Sequence, residues 1–139
     1  MQCGANFIVA PAIHEETAKT CNRRKILWIP GCGSVTEISK AEELGAEIVK
    51  IFPGKEVGGP GFVKAVKGPM PWSTLMPTGG VSPDKENLKA WFDAGVACVG
   101  IGSQLITDTI IRSGDLSQLK SKVSEVLEYI KELKTKSKK

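Results

Sequence analysis

A short pattern recurs along the chain: a glycine, a small residue, then a β-branched run. It reads Gly4-Ala5-Asn6-Phe7-Ile8-Val9, then Gly45-Ala46-Glu47-Ile48-Val49-Lys50-Ile51-Phe52, then Gly95-Val96-Ala97-Cys98-Val99-Gly100-Ile101. In the second and third copies an amphipathic stretch precedes the glycine, Glu37 to Leu44 and Leu88 to Ala94. The glycine therefore reads as the left-handed cap that stops a helix ahead of a strand. Two further strands fit between the copies, Lys25 to Ile29 and Ser73 to Met76, each running into a Pro-Gly or Pro-Thr-Gly-Gly turn. Nearly continuous apolar strands that alternate with helices predict an α/β fold with a largely parallel sheet covered by helices.

The predicted order places strands at 6–10, 25–29, 47–52, 73–77 and 97–101. Helices fall at 14–23, 35–44, 60–66, 84–94, near 103–110 and at 115–134. The last helix carries Leu116, Leu119, Val123, Val126, Leu127, Ile130 and Leu133 at helical spacing, a stripe that needs a partner surface. The chain reads as one unit: strand–helix repeats over 1–110, a terminal helix over 111–134 and a basic tail over 135–139. Gly4 is preceded only by Met1-Gln2-Cys3, where the other copies have a helix, so the pattern reads as cut into at its start. A closed eight-stranded barrel uses roughly 30 residues per strand–helix unit, and 139 residues supply four to five of them.

Composition narrows the function classes. With 41% hydrophobic and 24% charged residues the chain is an ordinary globular sequence, without an apolar run of the roughly eighteen residues a membrane helix needs. The first residues lack a secretory pattern, so a cytoplasmic setting with no membrane partner is expected. Cys3, Cys21, Cys32 and Cys98 form no C-x-x-C pair and His14 is the one histidine, so neither zinc nor a dithiol has its spacing, and no cofactor is expected. His14 reads as a surface or capping residue. The net charge of +4 comes largely from Lys131, Lys134, Lys136, Lys138 and Lys139, which is a basic tail, and no nucleic-acid partner is expected. Trp28, Trp72 and Trp91 read as packing residues, and Cys98 as a buried small thiol.

Lys50 is the most informative side chain. Period two puts Ile48, Lys50 and Phe52 on one face of its strand, with Val49 and Ile51 on the other. Two readings stand. One is a snorkelling or salt-bridged lysine near a strand end. The other is a desolvated amine, whose neutral form attacks a carbonyl to give a Schiff base. Pro77-Thr78-Gly79-Gly80-Val81 and Gly100-Ile101-Gly102-Ser103 follow two successive strands. Paired glycines let backbone amides converge on an anion, and barrel enzymes often place a phosphate site in such a pair of loops. Lys55, in the glycine-rich loop after the Lys50 strand, reads as an exposed loop residue that is able to attract an anion.

Phe7-Ile8-Val9-Ala10-Pro11, Ile29-Pro30-Gly31, Val49-Lys50-Ile51-Phe52-Pro53-Gly54, Gly59-Pro60-Gly61-Phe62, Met76-Pro77-Thr78-Gly79-Gly80-Val81 and Val99-Gly100-Ile101-Gly102-Ser103, in that order, resemble the 2-keto-3-deoxy-6-phosphogluconate aldolase family. That family includes 4-hydroxy-2-oxoglutarate aldolases. The resemblance implies a metal-free class I aldolase on a (β/α)8 barrel, usually a homotrimer. It cleaves the phosphorylated keto-deoxy acid to pyruvate and glyceraldehyde 3-phosphate. By this match Lys50 is the Schiff-base lysine, and Phe52 packs beside the pyruvate moiety. Pro11 lines the site. Thr78, Gly79 and Gly80, with Gly102 and Ser103, hold the phosphate end. The chain would then be a partial barrel, holding the fourth to eighth strands and lacking the first three. The family's acid–base glutamate and carboxylate-binding groups lie on those first strands, so a truncated chain with weak or no turnover is implied. Two other readings are a phosphate-binding isomerase or epimerase barrel, and a non-catalytic half-barrel that works only by assembling with itself or with a complementary chain.

Overall fold

The strands pair in chain order, all parallel, as a two-stranded and a three-stranded sheet, and a helix fills every connection except the single-residue step from one sheet to the other. The computed structural model describes residues 3–114 and 116–136. Strand β1 (Phe7–Val9) pairs with β2 (Leu27–Ile29), Ile8 standing opposite Trp28. Strand β3 (Gly31–Cys32) pairs with β4 (Val49–Ile51), and β4 with β5 (Leu75–Pro77). The proline between β2 and β3 has no N–H to give a ladder, yet its carbonyl accepts from Lys50 N–H at 2.8 Å. The chain thus continues extended past Pro30 and changes neighbours from β1 to β4, where the sequence suggested a turn.

The expected strand at 97–101 is not a regular strand. Ala97 N–H donates to Leu75 O at 3.0 Å and Gly100 N–H to Pro77 O at 2.9 Å, but only the single bridge Thr78–Gly100 forms. Among the described residues this segment has no strand on its far side, and Gly100 and Gly102 do little to hold an edge extended.

The helices start where their caps dictate. His14, Ser34, Asp84 and Thr107 each accept a backbone N–H three residues on, opening α1 (Glu15–Arg24), α2 (Val35–Glu43), α4 (Lys85–Asp93) and α5 (Asp108–Ser113). The capping role read for His14 holds, whereas the short helix expected near 103–110 starts at Asp108, because residues 103–105 form a turn. Helix α3 (Gly59–Lys67) has Pro60 in its first turn, where a missing N–H costs nothing. Helix α6 (Leu116–Lys136) continues two residues past the predicted end at 134; residues 137–139 of the basic tail lie outside the described residues.

Each of the first four helices buries a pair three residues apart: Ala18 and Cys21, Ile38 and Ala41, Val63 and Val66, Leu88 and Trp91. These pairs and the strand residues Trp28, Cys32, Val49, Ile51 and Leu75 form one core. The opposite face of the sheet is open: Phe7 is 57% exposed and Val9 44%, and Lys50, Phe52 and Met76 are half-buried. A sheet buried on both faces was expected, and only one is. Helix α6 docks through Val126, Tyr129, Ile130 and Leu133, while Leu116 and Leu127 are exposed. Trp72 corrects the packing assignment: it lies on the surface with Nε1–H donating to Glu42 at 3.2 Å.

Candidate active site

The candidate residues gather at the C-terminal ends of the parallel strands, on and above the open face. Lys50 sits mid-strand in β4, with Gly31 and Met76 as its register partners on either side. Its neighbours Val49 and Ile51 are buried on the core side, so the face alternation read from the sequence is observed. Among the described residues no carboxylate lies within ion-pair reach of Lys50. Burial holds its ammonium below the ordinary lysine value, with no counter-charge to restore it. Its Nζ lies 4.4 Å from the centroid of the Phe52 ring, a contact that orients the side chain along the open face.

Pro11 reaches this place because Gly31 has no side chain; a Cβ there would overlap the Pro11 carbonyl. Since Gly31 is opposite Lys50, Pro11 borders the lysine's surroundings. Cys32 lies beside Ile51 on the core side, where burial first and Glu37 second push its thiol up to about 12. A thiol held in its protonated form on the core side is a poor nucleophile.

The β4 and β5 loops are sewn together. Gly54 N–H donates to Thr78 O at 2.8 Å and Lys55 N–H to Gly79 O at 3.1 Å. A Cβ on Gly54 would lie 2.8 Å from Gly79 O, so the approach is open to glycine alone. Gly79 and Gly80 have φ of +90° and +73°, the left-handed region that glycine enters without strain. Asn87, on α4, clamps this turn: its Nδ2 donates to Gly80 O at 3.1 Å and its Oδ1 accepts from Ser82 N–H at 3.0 Å. Gly102 and Ser103 leave directly from the Gly100 bridge and are exposed. Among the described residues, no acceptor meets the N–H groups of Gly80, Gly102 or Ser103.

Lys50, Phe52, Pro11 and the Thr78–Gly80 turn are thus brought together by the strands, and Gly102 and Ser103 join through the bridge to Thr78. Asn87 was not foreseen. Its position in the first turn of a helix gives no hint of a role, although the Asp84 cap three residues earlier fixes its place. Glu16, on α1, is engaged with Lys19 at 2.7 Å. Among the described residues no helix is long and apolar enough to cross a membrane, and no three metal-binding side chains cluster.

The family model for KDPG and KHG aldolases matches residues 1–122. The 2-dehydro-3-deoxy-6-phosphogalactonate aldolase of Escherichia coli (strain K12) is 41% identical over 103 residues, which is 73% of this chain and 49% of the relative. A solved native KDPGal structure superposes with a TM-score of 0.84 at 31% identity, over 96% of this chain and 62% of that one. The KDPG aldolase of Legionella pneumophila, with pyruvate captured as a covalent carbinolamine, superposes with a TM-score of 0.78 at 30% identity, over 87% and 58% of the two chains. The chain spans about half the length of the curated relatives it matches.

Proposed function

The chain belongs to the KDPG and KHG aldolase family, and from that premise we propose that it performs class I aldolase chemistry with Lys50 as the Schiff-base residue. The observation that carries this reading is a lysine in a central strand, desolvated, without a carboxylate partner among the described residues, on the open face of the sheet. Its neutral amine attacks the keto carbon of a 2-keto acid; loss of water from the resulting carbinolamine leaves an iminium. When the C3–C4 bond of the bound acid breaks, its electron pair moves into the iminium and forms an enamine, and the C4 hydroxyl proton leaves as the aldehyde forms. Protonation of the enamine at C3 and hydrolysis release pyruvate and return the free amine. Phe52 and Pro11 bound the pyruvate end.

The far end of the substrate falls to the two loops. Free N–H groups at Gly80, Gly102 and Ser103, with the Thr78 and Gly79 backbone shaping the turn, suit a phosphoryl group. We assign the substrate class as phosphorylated 2-keto-3-deoxy acids, with unphosphorylated 4-hydroxy-2-oxoglutarate as the poorer alternative. The 41% identity to a phosphogalactonate enzyme favours including that epimer beside phosphogluconate.

We read the sheet as the last five units of a (β/α)8 barrel. No carboxylate among the described residues stands by Lys50 to shuttle protons, so imine formation outpaces turnover. One observation favours a second reading, that the chain works through assembly with itself, as a homotrimer or otherwise, or with a complementary chain: β1 has a ladder partner on one side only and exposes Phe7 and Val9.

Intact-mass analysis after incubation with pyruvate and borohydride tests the main reading. One reduced pyruvyl adduct, absent from Lys50→Ala, is expected. An adduct that persists in Lys50→Ala overturns it.

A further inference from the structure

A cavity of about 330 Å³ lies between the β4–α3 loop, the β5–α4 turn and the segment after Gly102. It is lined by Lys55, Gly59, Pro60, Gly80, Ser82, Asn87, Trp91 and Gln104, and Lys55 is the one charged residue among them. Lys55 does not reach it by chance. Its N–H is bonded to Gly79 O, and a Cβ on Gly80 would overlap the Lys55 Cβ, so stem and diglycine turn are packed face to face. No carboxylate among the described residues pairs with its ammonium.

We propose that Lys55 is the specificity-determining cation of this molecule, supplying the charge that binds the phosphoryl end of the substrate and sets phosphorylated acids apart from unphosphorylated ones. This rests on the substrate class assigned above and adds a residue to it. Backbone N–H groups at Gly80, Gly102 and Ser103 provide direction but no net charge, and a cation beside them adds the charge-assisted contact that strengthens the hold on a dianion. A lysine on a flexible stem serves as that point charge. The Asn87 clamp turns the Gly80 carbonyl toward α4, which keeps a repelling oxygen engaged away from the anion.

The test is inorganic phosphate binding by calorimetry at low ionic strength, on the full chain and on Lys55→Ala, Lys55→Arg and Lys120→Ala, the last an exposed lysine on α6. Losing a charge-assisted contact weakens binding by about tenfold or more, whereas Lys55→Arg keeps it within about threefold. Lys120→Ala is expected to bind as the unmodified chain does. Equal binding by Lys55→Ala, equal weakening by Lys120→Ala, or no binding by the unmodified chain overturns the assignment. Pyruvate trapping on the same unmodified preparation reports separately on Lys50. Phosphate binding that depends on Lys55 without an adduct at Lys50 leaves this inference standing and removes the Schiff-base reading. The reverse pattern does the opposite.

Discussion

Lys19 and Lys89 sit on helix surfaces with a carboxylate about one turn away, Glu16 and Asp93, while Lys50 sits on a sheet with none. Hydrogen bonding to those carboxylates raises the first two above the ordinary lysine value; burial lowers the third. The same ammonium is thus moved in opposite directions by two surroundings. A partner stabilises the charge, and loss of water without a partner penalises it. Only the second circumstance raises the fraction of free amine at a given pH, and the free amine is the form that attacks a carbonyl.

The largest effect expected is at Lys50 itself. Lys50→Met abolishes the pyruvate adduct, and urea titration shows stability unchanged or raised, because an unpaired half-buried charge has been removed. The sign with pH follows from the lowered pKa. Between that value and the ordinary 10.5 the unfolded chain binds more protons at this site than the folded chain. The Lys50 contribution to stability therefore rises with pH through that window, and Lys50→Met removes that part of the slope. A marked loss of stability in Lys50→Met would break the contrast.

One residue along, on the core side, the prediction reverses. Ile51 is fully buried, and Ile51→Ala costs about 2–5 kcal/mol in the same titration. Less than about 1 kcal/mol would mean that the two faces of β4 do not differ as described.

A smaller effect sharpens the comparison by converting one surrounding into the other. Met76 stands opposite Lys50 in register and shares its face, so Met76→Glu gives the lysine the carboxylate it lacks. The Lys50 pKa rises, and adduct formation at neutral pH slows by about tenfold, since each unit of pKa is a factor of ten in free amine. An unchanged rate would show that desolvation does not govern this amine. The smallest effect is at the surface: Lys89→Ala leaves thermal stability unchanged within error, as expected of an exposed i,i+4 pair.

Much of this was legible in the chain. Helices α2 and α4 are announced by their amphipathic stretches, and the caps at His14, Ser34 and Asp84 that open α1, α2 and α4 match local chemistry. The period-two alternation around Lys50 separated the two faces of its strand, although the pattern implied that both are covered. What escaped depended on distant partners. Pro30 reads locally as a turn, yet its carbonyl is claimed by Lys50 N–H and the chain runs on as β3. The 97–101 segment is apolar enough for a strand but lies at an edge, so one bridge is all that forms. Trp72 reads as a packing residue because the tryptophans have no regular stacking spacing, and no local pattern says that its indole meets Glu42 across the surface. In the site itself, the close approaches at Gly31, Gly54 and Gly80 are set by Pro11, Gly79 and Lys55, contacts between loops that sequence spacing does not reveal.

The most direct test is the rate of pyruvate trapping at every lysine, followed by peptide mapping across the pH range from neutral to alkaline. The account predicts a single fast site, Lys50, whose rate climbs and levels off below the pH at which Lys19 and Lys89 begin to react. Adducts spread evenly over the exposed lysines, or a Lys50 rate that climbs only with theirs, would contradict it.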